Sequence, residues 1–203
     1  MTGRRIVVVR HGRTAYNHED RWQGQLDIPL DDVGRHQAAL MAPEVGSLDP
    51  AAIISSDLTR ARDTAAAIAS TTGLSLSFDP RLREINAGQW EGLTGSEVRA
   101  RFPGETERIR AGEDIPRGVD GETWSALGQR VAAGLTDFAE TLPPRGLGVA
   151  VTHGAAARAG IGVLLQLPFE HWRILGGMAN CAWAVLEEQA FGWRLMGWNL
   201  VAM

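Results

Sequence analysis

At 203 residues the chain is long enough to bury a sizeable core in one domain, and its 44% hydrophobic and 22% charged residues are ordinary for a globular protein. A formal net charge of −4 gives no bulk attraction to nucleic acid or to an anionic membrane surface. All 20 basic residues are arginine, which excludes lysine nucleophiles, Schiff bases and a lysine-dependent P-loop, while the single cysteine, Cys181, excludes an intrachain disulfide or a multi-cysteine metal site.

The opening Met1-Thr-Gly-Arg-Arg leads into an apolar run too short for a signal peptide, and that run, residues 6–9, reads as the first strand. Asp31 or Asp32 is placed to cap a helix carrying Leu40, Met41 and Val45. A second strand is expected at residues 51–55, followed by a helix capped by Asp57 and carrying Leu58, Ala61, Ala65 and Ile68. A third strand is read at residues 74–78. Residues 92–121, rich in Gly, Arg and Glu, read as a helical insertion covering one side of a pocket, with the arginines from Arg99 to Arg117 on a solvated face.

After Asp120, Trp124, Leu127, Val131, Leu135, Phe138 and Leu142 recur at spacings of three and four, which makes one apolar helical stripe. Pro143, Pro144 and Gly146 end it before a fourth strand at residues 147–152. Residues 181–187 and 193–200 read as a terminal hairpin, with Cys181 as a buried thiol. No run approaches the ~18 apolar residues of a membrane span, so a cytoplasmic protein is expected. The alternation of strands and helices predicts a three-layer α/β/α sandwich with a mostly parallel central sheet, and one domain over residues 1–203.

The residues with chemical potential cluster just past the strands. Arg10-His11-Gly12-Arg13-Thr14, with Asn17 beyond, comes after the first, and Ser55-Ser56-Asp57-Leu58-Thr59-Arg60 after the second. Leu82-Arg83-Glu84 comes after the third, and Thr152-His153-Gly154 after the fourth. Ligands of open α/β sheets bind outside the carboxyl ends of the strands, so these groups are expected to meet in one crevice.

They suit phosphoryl transfer. Arginine offers paired N–H donors in the geometry of a phosphate dianion, making Arg10 and Arg60 the candidates; the first helical turn around Arg60 adds free backbone N–H groups, and Asn17 an amide. A neutral imidazole at His11 is a nucleophile toward phosphorus, and flanking guanidinium groups disfavour its protonation. Glu84 is the carboxylic acid in the set. One phosphate charge about 4 Å away favours its protonated form by about 4 kcal/mol at an effective dielectric of 20. Substrate binding would therefore make Glu84 an acid for the leaving alkoxide, and afterwards a base for water.

The pattern Arg-His-Gly-x-Thr-x-x-Asn over Arg10 to Asn17, the Arg21-Trp-Gln-Gly24 segment, the run from Ser55 to Ala65, Leu82-Arg-Glu84 and Thr152-His-Gly154 together resemble the histidine phosphatase superfamily, also called phosphoglycerate mutase-like. The resemblance runs over nearly the whole chain. It implies His11 as the phosphorylated nucleophile, Glu84 as proton donor and acceptor, and Arg10, Arg60 and His153 as the phosphate pocket, with His153 also a transition-state donor. Asn17, Gln23, Gly24 and Gly154 would add contacts. Leu167-Pro-x-x-x-Trp172, Leu175 to Asn180 and Trp193 to Asn199 are similar to the actinobacterial glucosyl-3-phosphoglycerate phosphatases, as elements of structure rather than of substrate choice. Ala155 departs from the family by standing where a second glycine often follows His-Gly.

These residues imply a small-molecule phosphate ester as partner, no nucleic acid, no membrane, no metal and no cofactor, in a monomer or homodimer. The leading expectation is a phosphomonoesterase working through phosphohistidine. Two alternatives are a phosphoglycerate mutase-type isomerase, disfavoured by the three residues after Leu200, and a non-catalytic phospho-ligand-binding module. His36 is expected on a helix face, His171 at the surface, and Trp22 and Trp90 either in packing or in an aromatic wall.

Overall fold

The computed structural model describes residues 3–202. Six strands form one sheet: β1 (Arg5–Arg10), β2 (Ala52–Ser55), β3 (Leu76–Phe78), β4 (Leu147–Thr152), β5 (Trp183–Gln189) and β6 (Gly192–Leu200). Their order is β3-β2-β4-β1-β5-β6, with the first four mutually parallel and the hairpin β5–β6 antiparallel. The expected three-layer sandwich is therefore present.

The central strands β1, β2 and β4 are short and apolar because both faces are covered. Along β1, Ile6 and Val8 join the core beneath one helical layer, while Val7 and Val9 join the core on the opposite face. The first layer holds α6 (Trp124–Thr141) and α7 (Gly154–Leu164); the second holds α2 (Asp32–Gly46) and α3 (Thr59–Thr72). A four-residue helix α1 (Ala15–His18) follows the first strand, and two short helices, α4 (Gly95–Arg101) and α5 (Pro103–Arg110), lie within residues 92–121.

Two expectations about helices change. Asp31 caps α2 as anticipated, its carboxylate accepting from Gly34 N at 2.7 Å, but Leu40 is exposed while Ala38, Met41, Ala42 and Val45 face the core. Asp57 does not cap α3, because its carboxylate is taken by a two-pronged pair with Arg83 at 2.7 and 2.5 Å. The orphan N–H of Thr59 turns instead to Asp27, at 2.7 Å. The third strand is also shorter than expected, since only its last three residues find partners on β2.

Helices α6 and α7 approach closely around Trp172. A Cβ at Gly128 would stand 2.6 Å from the Trp172 ring, and one at Gly162 would stand 2.8 Å from it. Gly128→Ala should therefore destabilise the fold by about 1–3 kcal/mol through overpacking. A urea titration would show this as a lower midpoint at unchanged m; an unaltered midpoint would mean that the helices can separate at no cost.

Candidate active site

The two central parallel strands bring the two histidines together. β1 and β4 are in register to their ends, Arg10 opposite Thr152, so His11 and His153 leave neighbouring strands side by side. Their rings meet edge to face with centroids 5.0 Å apart. Close backbone contact fixes the first loop: a Cβ at Gly12 would fall 2.5 Å from the Gly34 carbonyl, and Gly12 N donates to Thr64 Oγ1 at 3.0 Å.

His11 lines a cavity of about 350 Å³ together with Arg10, Asn17, Trp22, Gln23, Arg60 and Glu84. Its Nδ1 lies 2.7 Å from the Gly12 carbonyl, which can only accept, so Nδ1 carries the proton and Nε2 keeps its lone pair. Burial first, then the charges of Arg60 and Arg10, hold the imidazole well below the usual histidine range. His11 is therefore neutral and nucleophilic at pH 7.

Arg60 is fully buried. Its guanidinium donates to the carbonyls of Leu26 (2.7 Å) and Gly24 (2.8 Å) and to His153 Nδ1 (3.1 Å). Burial pulls its ionisation down to about 10, against the opposing charge of Glu84, so it remains a cation at neutral pH. Arg10 donates to the Met178 carbonyl, while its Nε has no partner among the described residues. Asn17 and Gln23 both use their amide oxygens internally, Asn17 on Thr14 and Asn180, Gln23 on Thr14 at 2.9 Å. In both, the NH2 group is left for a ligand.

Glu84 sits at the start of α7. Its carboxylate accepts from Ala155 N (3.1 Å), Ala156 N (2.9 Å) and Ile85 N (2.9 Å), an arrangement in which the positive end of the helix holds an anion. The first turn of α3, expected to offer its N–H groups to phosphate, is occupied by Asp27; the helix end that serves the site is that of α7. The departure at Ala155 thus costs nothing here, because its backbone N–H is the group in use.

The resemblance implies His153 in the phosphate pocket, and the fold sets its ring against His11 and Arg60. It is completely buried and does not line the cavity. Arg60 Nε can only donate, so His153 Nδ1 accepts, and Nε2 donates to Ser56 Oγ at 2.9 Å. In this placement both ring nitrogens are engaged, with the ring packed between Arg60, Ser56 and His11. Gly154 likewise begins α7 without lining the cavity, and leaves room for Arg10.

Several supporting residues have no signal in the sequence. Arg130, on α6, donates to the carbonyls of Arg81, Arg83 and Glu84 and pairs with Glu122 at 2.7 Å, so it holds the whole loop that bears Glu84. Asn180 donates to the His11 carbonyl at 3.0 Å. Trp22 lines the cavity, whereas Trp90 is buried behind it, 5.0 Å away by centroid. His18, His36 and His171 are exposed, and Cys181 is buried, its thiol pushed up to about 12 by burial. Arg117 is a correction to the solvated-face expectation, being only 3% exposed. Among the described residues, no three His, Cys, Asp or Glu side chains are grouped to hold a metal ion, and no helix is long and apolar enough to cross a membrane.

A family model described as histidine phosphatase superfamily (branch 1) matches residues 6–201. The glucosyl-3-phosphoglycerate phosphatase of Mycobacterium tuberculosis (strain ATCC 25618 / H37Rv) is 38% identical over 218 aligned positions, covering 100% of this chain and 97% of that protein. A probable phosphoglycerate mutase of Yersinia pestis (strain Pestoides F) is 36% identical, covering 95% and 89%. Among solved structures, a mycobacterial glucosyl-3-phosphoglycerate phosphatase in complex with VO3 gives a TM-score of 0.89 at 38% identity, over 97% of this chain and 98% of that one.

This geometry has two measurable consequences. In the unfolded chain His11 and His153 take up protons near pH 6.5, whereas in the folded protein both resist protonation to well below that value. The unfolded state then binds more protons, so stability falls as the pH drops below about 6.5 toward the lowered folded values. Urea midpoints at pH 7.5 and 5.5 should show the drop, and His11→Asn should reduce it; an equal drop in the variant would assign it elsewhere. Arg130→Met should lower kcat by about a hundredfold by loosening Glu84, with a smaller effect on KM. Unchanged kcat in a folded variant would show that the loop holds itself.

Proposed function

The chain belongs to the histidine phosphatase superfamily, and on that basis we propose that it is a phosphomonoesterase acting through a phosphohistidine at His11. The carrying observation is a buried, neutral imidazole whose tautomer is set by Gly12, in a cavity that also holds two arginines and Glu84. Arg10, Arg60 and the free amide groups of Asn17 and Gln23 grip the phosphate oxygens. His11 Nε2 forms a bond to phosphorus while the ester P–O bond breaks, and Glu84, which takes up a proton from solvent as the phosphate dianion binds, gives it to the departing alkoxide. Glu84 then takes a proton from water, the water oxygen attacks phosphorus, and the N–P bond breaks to release phosphate and neutral His11. His153 and Ser56 position Arg60 and His11.

Similarity over the full length to proteins named glucosyl-3-phosphoglycerate phosphatase supports hydrolysis over isomerisation, and makes a phosphorylated hydroxy acid, glucosyl-3-phosphoglycerate among them, the favoured substrate class. We read the protein as a single-domain cytoplasmic enzyme that needs no metal, with residues 92–121 as a lid.

Turnover of phosphate esters should survive chelator, be inhibited by vanadate and vanish in His11→Ala. Rapid quenching should trap an acid-labile, base-stable phosphoenzyme; failure to find one in a single turnover would sink the covalent route. Glu84→Gln should lower kcat by about 10²–10⁴ on alkyl esters and less on p-nitrophenyl phosphate, whose leaving group needs no proton. Turnover dependent on 2,3-bisphosphoglycerate would instead favour the mutase.

A further inference from the structure

Beside the catalytic cavity lies a larger one, of about 620 Å³, walled by Arg117, Trp124, Arg158, Phe169, Trp172 and Arg173. The two are close neighbours. Ala155 lines the first and Arg158 the second, three residues further along α7, about 4.5 Å along its axis. A smaller hollow beneath α4 and α5 shares Trp22 and Gly95 with the catalytic cavity, and Ile109 and Arg117 with the larger one.

The cations of this cavity are not equivalent. Arg117 donates to the Ile115 carbonyl and stands 4.0 Å from Asp114, whose own oxygens cap α6. Arg173 donates to the Ile109 carbonyl, and Arg110, at the cavity's edge on α5, is solvent-exposed. Arg158 has no such partner. Its guanidinium lies 4.6 Å from the centroid of the Trp124 ring, and among the described residues it is the one buried or half-buried arginine with neither a hydrogen bond nor an ion pair. Two glutamates border the cavity; Glu113 is committed to Arg108 at 2.8 Å, and Glu170 is solvent-exposed and makes no ion pair with Arg158. Glu84 is near enough for its charge to act on Arg158, but its carboxylate is occupied by three backbone N–H groups.

A guanidinium stacked on an indole has its planar N–H edge free, the shape that a carboxylate meets with two parallel hydrogen bonds. Phosphate is already provided for by Arg10 and Arg60. Aromatic faces with one half-buried, uncommitted guanidinium among them, in a cavity of this size, describe a site for an organic acid rather than for an inorganic ion.

We infer that this cavity is a second subsite that receives the alcohol portion of the substrate, and that Arg158 determines specificity by binding a carboxylate carried on that portion. The inference rests on the phosphatase reading of the neighbouring cavity. It is tested with 3-phosphoglycerate and glycerol 3-phosphate, which differ by a carboxylate against a hydroxymethyl group. The wild-type enzyme is expected to favour the carboxylate ester in kcat/KM by about tenfold or more, mostly through KM. Arg158→Gln should collapse that ratio toward unity, and Arg158→Lys should restore part of it. No preference in the wild type, or an unchanged ratio in Arg158→Gln, overturns the inference. Failure to hydrolyse either ester or p-nitrophenyl phosphate is a failure of the phosphatase reading instead. Whenever neither phosphoglycerate nor glycerol phosphate is turned over, calorimetry decides: tighter binding of 3-phosphoglycerate that is lost in Arg158→Gln supports the subsite, and equal binding by both proteins overturns it.

Discussion

The site is organised around a buried cation at the floor of the catalytic cavity. Arg60 is buried without a carboxylate in contact, a placement that carries a desolvation cost of several kcal/mol. The protein offsets part of this with two carbonyls, a histidine nitrogen and the more distant charges of Glu84, Asp27 and Glu91. On the proposed function a phosphate dianion supplies the rest, so affinity for phosphate would arise from a cation that the fold holds incompletely compensated. Burial first, and then the same charge, keep His11 and His153 unprotonated. Anion binding and nucleophile activation are one electrostatic arrangement, not two.

That arrangement works only if its parts cannot relax. The carbonyls of Gly24 and Leu26 hold Arg60 in place, Ser56 and Arg60 together fix the His153 ring, and Gly12 fixes the tautomer of His11. Glu84 is pinned from two sides: the start of α7 holds its carboxylate, and Arg130 holds its backbone. Preorganisation of this kind lets charge develop on the transferring group without reorienting dipoles, which is where electrostatic catalysis gains most.

The neighbouring cavity contrasts with this. Its walls come from α5, the 111–117 loop, α6, α7 and the 3-10 turn at Phe169–Ile174, and α6 and α7 reach the catalytic cavity only through Arg130 and the first turn of α7. On the subsite inferred above, phosphoryl transfer and recognition of the alcohol fall to different cavities, joined along one turn of α7 between Ala155 and Arg158.

The sequence alone determined the sandwich, most of its elements and the group around His11. Strand and helix periods report burial directly, and in a parallel sheet every strand's carboxyl end points to the same crevice, so motif position could be read as location. What it could not decide was which polar group meets which. The capping of α3 by Asp27 rather than Asp57, the anchoring of Glu84 by α7 and Arg130, the enclosure of His153 between Arg60 and Ser56, and the unpartnered state of Arg158 all join residues distant in the chain. Hydrogen bonds and ion pairs depend on distances of a few tenths of an ångström, and only the packed tertiary structure sets those.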